Sequence, residues 1–177
     1  QELFDNYGVD DVHQRMLLAK IKKMVNSMKD KIGDVVVKIN EEADKTGGEV
    51  RFNADKAAIY INIGPNQIGM SPLEVYVHEL NHVVLKAAID SKDPIYNRDI
   101  RVLERLRAKV ISEFSTDRVM EFMAVPDKDV ADAMLDYISD KKVGLHEFAA
   151  YADTNSVMRN ILSHMSLDRE KVEHTNW

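Results

Sequence analysis

The chain has 177 residues, 45% hydrophobic and 31% charged, which predicts one folded domain over residues 1–177 with a full hydrophobic core. Its formal net charge of -6 argues against nucleic acid as a partner, and no apolar run reaches the length of a membrane span. It has no cysteine, so any metal site must use His, Asp or Glu, and a reducing compartment suits it. Because the first residue is Gln1, we expect the sequence to be excised from a longer polypeptide.

The N-terminal part of the chain predicts a helix followed by a small sheet. Apolar residues recur at helical spacing from Asp11 to about Lys29, and Gly33 ends this amphipathic helix. Three β-leaning segments come next, at residues 35–39, 49–52 and 58–63. The short loop at residues 53–56 predicts an antiparallel pairing of the last two strands, so the sheet is mixed or antiparallel.

A capped helix is predicted to begin at Ser71. Ser71 is a good N-cap, Pro72 suits the first helical position, and Glu74 is three residues beyond the cap, as in a capping box. The apolar residues that follow predict a helix that is largely buried.

The most informative residues of the chain lie on this helix. His78, Glu79 and His82 form an HExxH pattern. Positions i and i+4 share one face of a helix, so both imidazoles can bind one metal ion, and Glu79 is then next to a metal-bound water. A hydrolytic metalloenzyme is the leading hypothesis. The simpler interpretation is two core histidines with separate hydrogen bonds.

The remainder of the chain is predicted to be helical, with polar joints at residues 91–94 and 126–128. The fold class is therefore α+β. It consists of an N-terminal helix, a small sheet, the HExxH helix and a helical C-terminal half. An all-helical interaction protein with an accidental HExxH does not explain the β-rich segments.

Two carboxylates compete as the third metal ligand. Glu113 begins a stretch that resembles the ExxSD of thermolysin-like peptidases, with Thr116 in place of Ser and Asp117 at the place of the orienting acid. On a helical wheel, an apolar stripe is formed by Leu103, Leu106, Val110 and Phe114, with Asp117 within it and Glu113 at its edge. Glu147 follows the helix-breaking Gly144 and lies at the edge of an inward arc in a helix predicted to continue to Leu162. On spacing alone, each acid is also explained as a helix-surface residue.

From about Val50 to Leu162 the chain resembles the zincin metallopeptidase domains of large phage and mobile-element polyproteins. The residues that carry this resemblance are His78–His82, the Ser-Pro helix start, Glu147–Ala150 and Thr154–Asn155. The EFxA stretch also resembles the zinc-ligand helix of anthrax lethal factor. The resemblance implies a gluzincin-type fold with Zn²⁺ held by His78, His82 and Glu147. A second acid is usual four residues after the third ligand, where this chain has Tyr151, so Asp117 or Asp153 is a candidate for orienting a histidine.

The resemblance also implies a function, a zinc-dependent endopeptidase with Glu79 as general base. Tyr137, Tyr151 and His146 are the candidates for stabilising the oxyanion, although each is also explained as an amphipathic surface residue. The expected substrate is a polypeptide, either the parent polyprotein or a host protein, held as an added strand along residues 58–63. Cytoplasm or a virion is the implied location. The alternative is an inactive, zinc-binding structural module of a virion or polyprotein.

Overall fold

A helix, a three-stranded sheet and a helical second half follow one another along the chain. The computed structural model describes residues 12–32, 34–44, 47–53, 56–64 and 71–165. Its elements are α1 (Val12–Ile32), β1 (Asp34–Asn40), β2 (Gly47–Asn53), β3 (Lys56–Asn62), α2 (Pro72–Ser91), α3 (Pro94–Glu113), α4 (Thr116–Met120), α5 (Lys128–Ser139), α6 (Gly144–Thr154) and α7 (Ser156–His164). This order confirms the α+β class with a small mixed sheet. No helix in the described ranges has the length and apolarity needed to cross a bilayer. The predicted helix end at Gly33 lies outside the described residues.

The sheet has the strand order β1-β3-β2. The β2 and β3 strands pair antiparallel, which confirms the predicted hairpin, whereas β1 and β3 pair parallel. The expectation that residues 58–63 form the edge of the sheet is wrong, because β3 is the central strand. Its alternate residues Ala57, Ile59 and Ile61 are the buried ones, because one face of the strand packs against α2. The edge beside the HExxH helix is β2.

The N-terminus of α2 is held by the predicted capping box. The Ser71 hydroxyl accepts a hydrogen bond from the Glu74 backbone N–H at 3.3 Å, and the Ser71 N–H donates to the Glu74 carboxylate at 2.8 Å. Pro72 occupies the first turn, where a missing N–H costs nothing. The register of the HExxH helix is thus fixed seven residues before His78 by local hydrogen bonds.

Two hydrophobic clusters lie on either side of α2. One joins the sheet to α2 through residues such as Ile59, Val77 and Leu80. The other joins α3, α4, α5, α6 and α7 around Phe148 and Ile138. The α2 helix belongs to the first cluster, and it packs against α6, which carries residues of the second cluster.

The structure corrects two helices that the sequence pattern made continuous. The α3 helix ends at Glu113, and Ser115 caps the short α4, so Glu113 and Asp117 lie on different helices. The helix predicted to run past residue 155 is divided into α6 and α7, where Asn155 accepts a hydrogen bond from the Met158 N–H at 3.0 Å. Ser and Asn are strong N-cap residues, so they favour a new helix start at these points.

Candidate metal centre

The middle of α2 carries a cluster that can hold a metal ion. His78, Glu79 and His82 each offer one ligand atom, and these atoms all lie within 4.8 Å of one another. His82 and Glu79 are buried, and His78 is largely covered. The helix therefore brings the HExxH side chains together at one point, as the i, i+4 spacing predicts.

The α6 helix brings Glu147 to the same point. Its Oε2 atom lies 3.3 Å from His78 Nε2, and its Oε1 atom lies 3.5 Å from His82 Nε2. Tetrahedral ligands with bonds of about 2.0–2.2 Å to zinc lie about 3.3–3.6 Å apart. Two imidazoles and one carboxylate are also a donor set typical of catalytic zinc, so the residues fit this metal.

Glu113, the competing acid, lies away from the cluster. It is the last residue of α3, its side chain is 45% exposed, and its carboxylate is 3.8 Å from the Lys109 ammonium. The i, i+4 pairing with Lys109 is the surface role that its spacing also allowed.

The orientation of His78 is set by Thr154, a residue of the sequence resemblance to which no role was given. The Thr154 hydroxyl donates its proton to the Ala150 carbonyl at 2.8 Å, so its oxygen accepts from the His78 Nδ1–H at 3.4 Å. The proton on Nδ1 leaves a lone pair on Nε2, the atom that faces Glu147. Thr154 lies two helical turns after Glu147, and this spacing on one face of α6 was the available signal.

The acids proposed for this orienting role lie elsewhere. Asp117 is exposed on α4. Asp153 forms an ion pair with Lys20 of α1. The Nδ1 atom of His82 is buried and has no hydrogen-bond partner within the described residues. No carboxylate in those residues therefore orients either imidazole through its Nδ1 atom.

Burial dominates the electrostatics of the cluster. It raises the pKa of Glu79 to about 7, with the nearby His78 acting in the opposite direction. It lowers the pKa of His82 to about 4, which keeps this imidazole in the neutral form that binds metals. Burial alone would raise the pKa of Glu147, but the neighbouring His78, His82 and His146 outweigh it, and the pKa is lowered.

The β2 strand lies directly against Glu79. A Cβ atom on Gly48 would be 2.6 Å from Glu79 Oε1 and 2.6 Å from Val75 Cγ1. Real Cβ atoms do not approach other atoms this closely, so any larger residue would displace α2 or the Glu79 side chain. Gly48 therefore permits the close contact between the sheet edge and the HExxH helix.

Two of the three residues considered for oxyanion stabilisation lie next to the cluster. The Tyr151 ring is 5.3 Å from the His78 ring, and burial, with Glu147 and Tyr137 contributing, raises the pKa of Tyr151 to about 12. The His146 ring is 5.9 Å from the His82 ring, and burial lowers the pKa of His146. Tyr137 is 55% exposed on α5.

A cavity of about 430 Å³ opens beside the cluster. It lies between β2, the second half of the HExxH helix and the start of α6, and Glu79, His82 and Glu147 are among its lining residues. The candidate ligands can therefore be reached from solvent. Comparison of the chain with protein-family models, curated proteins and solved structures finds no match.

Proposed function

We propose that the chain is a zinc-dependent endopeptidase of the gluzincin type, with a polypeptide as its substrate. The observation that carries the proposal is the Glu147 carboxylate, which faces the Nε2 atoms of both His78 and His82 at 3.3 and 3.5 Å. These distances match the spacing of ligands around a catalytic zinc ion. The HExxH pattern and the sequence resemblance support the same conclusion.

His78, His82 and Glu147 would hold the zinc ion. A bound Zn²⁺ supplies Lewis-acid chemistry, which polarises a carbonyl and lowers the pKa of a coordinated water. Glu79 accepts a proton from the attacking water and returns it to the leaving amine. Its burial, which raises its pKa to about 7, suits a group that both accepts and returns a proton near neutral pH. Tyr151 and His146, whose rings lie next to those of His78 and His82, are the candidate donors for the developing oxyanion.

We also propose that the substrate pairs with the edge of β2. This strand is an outer strand of the sheet and lines the cavity beside Glu79 and His82. An extended peptide satisfies the unpaired backbone groups of an edge strand by β-augmentation. The parent polyprotein or a host protein are the substrates that the resemblance suggests.

The decisive experiment is the Glu79→Gln substitution in zinc-loaded protein. Cleavage of an unfolded protein substrate should fall by about 10²–10⁴-fold, because the general base is lost. Zinc content measured by atomic absorption should stay near one ion per chain. Glu113→Gln, which changes an exposed acid away from the cluster, is the matched control and should cleave like the original protein. A chain that binds no zinc, or a Glu79→Gln variant that cleaves at the original rate, rules the proposal out.

One observation favours a second function, a structural zinc module without catalysis. The carboxylate of Glu79 lies within 4.8 Å of the ligand atoms of both histidines, so it is close enough to act as a fourth ligand. Four protein ligands close a zinc site, as in structural centres. In this case Glu79→Gln weakens zinc binding and no polypeptide is cleaved. The same substitution therefore separates the two functions.

A further inference from the structure

The cavity beside the metal cluster extends past the proposed ligands along α2. Lys86, one helical turn after His82, lines it on one side. Lys142 and Val143, just before α6, line it on the other side, and Phe52 of β2 lies across from Lys86 with its ring centre 5.6 Å from the ammonium. This end of the cavity therefore has two lysines, Lys86 on α2 and Lys142 in the turn that precedes α6.

The acids that line the cavity are already engaged. The Glu49 carboxylate has two contacts with the Arg51 guanidinium, at 2.6 and 3.0 Å. Glu79 and Glu147 belong to the metal cluster. The positive charge of the lysines is thus not cancelled by the acidic residues that line the same cavity.

The two lysines differ in their partners. The Lys86 ammonium pairs with Asp90 at 2.6 Å. Lys142 has no ion-pair partner in the part of the chain that the structure describes. The nearby Asp140 carboxylate accepts hydrogen bonds from the backbone N–H groups of Lys142 and Val143, at 2.7 and 2.9 Å. These bonds lower the pKa of Asp140 most, and the charges of Lys142 and Arg107 lower it further, without a direct ion pair. Lys142 is therefore the stronger candidate for pairing with an incoming anion.

We propose that this end of the cavity is a subsite for an Asp or Glu side chain of the substrate, with Lys142 as its main specificity-determining residue. The proposal rests on the peptidase function and names the side chain that the enzyme prefers. Four residues of helix separate His82 from Lys86, a rise of about 6 Å. An extended peptide covers this distance in about two residues, and Lys142 lines the same cavity as Lys86, so the acidic residue lies within a few positions of the cleaved bond. A carboxylate gains a charge-assisted hydrogen bond from Lys142 that an amide of the same shape does not.

The test uses pairs of peptides that differ only by Glu or Gln at one position. Both ends are blocked by acetylation and amidation, so that the side chain supplies the only variable charge. Binding is measured by fluorescence anisotropy on zinc-loaded Glu79→Gln protein, where cleavage does not interfere, and cleavage is measured on the original protein. We expect the Glu peptide to bind about fivefold or more tightly than its Gln partner at one position near the cleaved bond.

Two lysine variants show whether Lys142 causes the preference for the Glu peptide. Lys142→Gln should bring the Glu-to-Gln ratio close to one. Lys141→Gln, the matched control, changes a neighbouring exposed lysine that does not line the cavity and should leave the ratio as it was. A carboxylate can also come from the C-terminus of a peptide, and a Gln peptide with a free C-terminus tests this source. If it alone binds tightly, the subsite holds a chain terminus and the side-chain proposal is wrong.

The outcomes for the subsite and for the peptidase function are distinguishable. A Glu preference in binding that depends on Lys142, without any cleavage by the original protein, supports the subsite and contradicts the peptidase function. Cleavage with equal rates for Glu and Gln peptides, or a preference that Lys142→Gln leaves intact, overturns the subsite. Absence of any Glu preference in the binding assay overturns it as well.

Discussion

The two helices that form the candidate metal centre are held in different ways. The α2 helix has 20 residues, a complete capping box and a long face buried against the sheet. The α6 helix has 11 residues and no side-chain cap at its start. Its start depends instead on Gly144, where a Cβ atom would be 2.4 Å from the carbonyl oxygen of Ile138 in α5. Local interactions thus fix one side of the centre, and packing between distant segments fixes the other.

This difference indicates which part of the candidate metal centre tolerates small shifts of the helices and which part does not. The spacing of His78 and His82 follows from the geometry of a single helix and survives small shifts of α2 as a whole. The position of Glu147 follows from how α6 packs against α2 and α5, so a change at that interface moves one ligand relative to the other two. Thr154 links the sides, because it lies on α6 and contacts His78.

The largest effect is expected from the ligand on the α6 side. Glu147→Ala should raise the dissociation constant for zinc by more than about 100-fold, because the loss of a ligand exceeds the effect of losing an outer hydrogen-bond partner. Competition with a chromophoric chelator measures this constant. Glu113→Ala, the control, removes the acid that pairs with Lys109 and should leave zinc affinity unchanged. If Glu113→Ala weakened zinc binding and Glu147→Ala did not, Glu113 and not Glu147 would be the third ligand.

A smaller effect is expected at the link between the helices. Thr154→Val keeps the shape of the side chain but leaves the His78 Nδ1–H without its acceptor, so zinc affinity should fall by about 10–100-fold. Thr154→Ser retains the hydroxyl and should restore most of the affinity. Chelator competition on both variants provides the measurement. If Thr154→Ser weakens zinc binding and Thr154→Val does not, packing of the Thr154 methyl group and not its hydroxyl is what matters.

The smallest effect is expected where β2 meets the α2 side. Gly48→Ala introduces a Cβ atom 2.6 Å from both Glu79 Oε1 and Val75 Cγ1, so the free energy of unfolding should fall by about 1–3 kcal/mol. Urea denaturation measures this change, and the cleavage rate reports the displacement of Glu79.

Gly47→Ala is the matched control for this substitution. A Cβ atom on Gly47 meets nothing within 4 Å. The free energy of unfolding of this variant should therefore be unchanged or higher by about 0.4–1 kcal/mol, because alanine has less conformational freedom than glycine in the unfolded chain. Equal losses for the two alanine variants would contradict the proposed contact between Gly48 and the α2 helix.

Local sequence patterns predicted most of the helices and strands and the HExxH part of the candidate metal centre. The capping box at Ser71, the hairpin of β2 and β3, the helix start at Gly144 and the convergence of the HExxH side chains are all confirmed. Each of these depends on residues that are close in sequence, where backbone geometry relates spacing to position directly.

The errors occurred where several local patterns compete. The stripe through Leu106, Val110 and Phe114 favoured one continuous helix, but Ser115 provides a cap that begins another. Residues 58–63 were expected at the sheet edge because they lead towards the HExxH helix. The strand order depends on the pairing of β3 with β1, and β2 lies between these two strands along the chain. No local sequence pattern encodes a pairing between segments that are not consecutive.

The sequence by itself determined that His78, Glu79 and His82 share one face of a buried helix, because the α-helix repeats every 3.6 residues. It left Glu113 and Glu147 as competing third ligands, since their spacing from the histidines fixes no distance in space. The tertiary structure brought Glu147 and Thr154 to the histidines, left Glu113 on the surface and made β2 the adjacent edge. The physical reason is that these contacts depend on how α6 and the sheet pack around α2, which is decided by the two hydrophobic clusters and not by any local repeat.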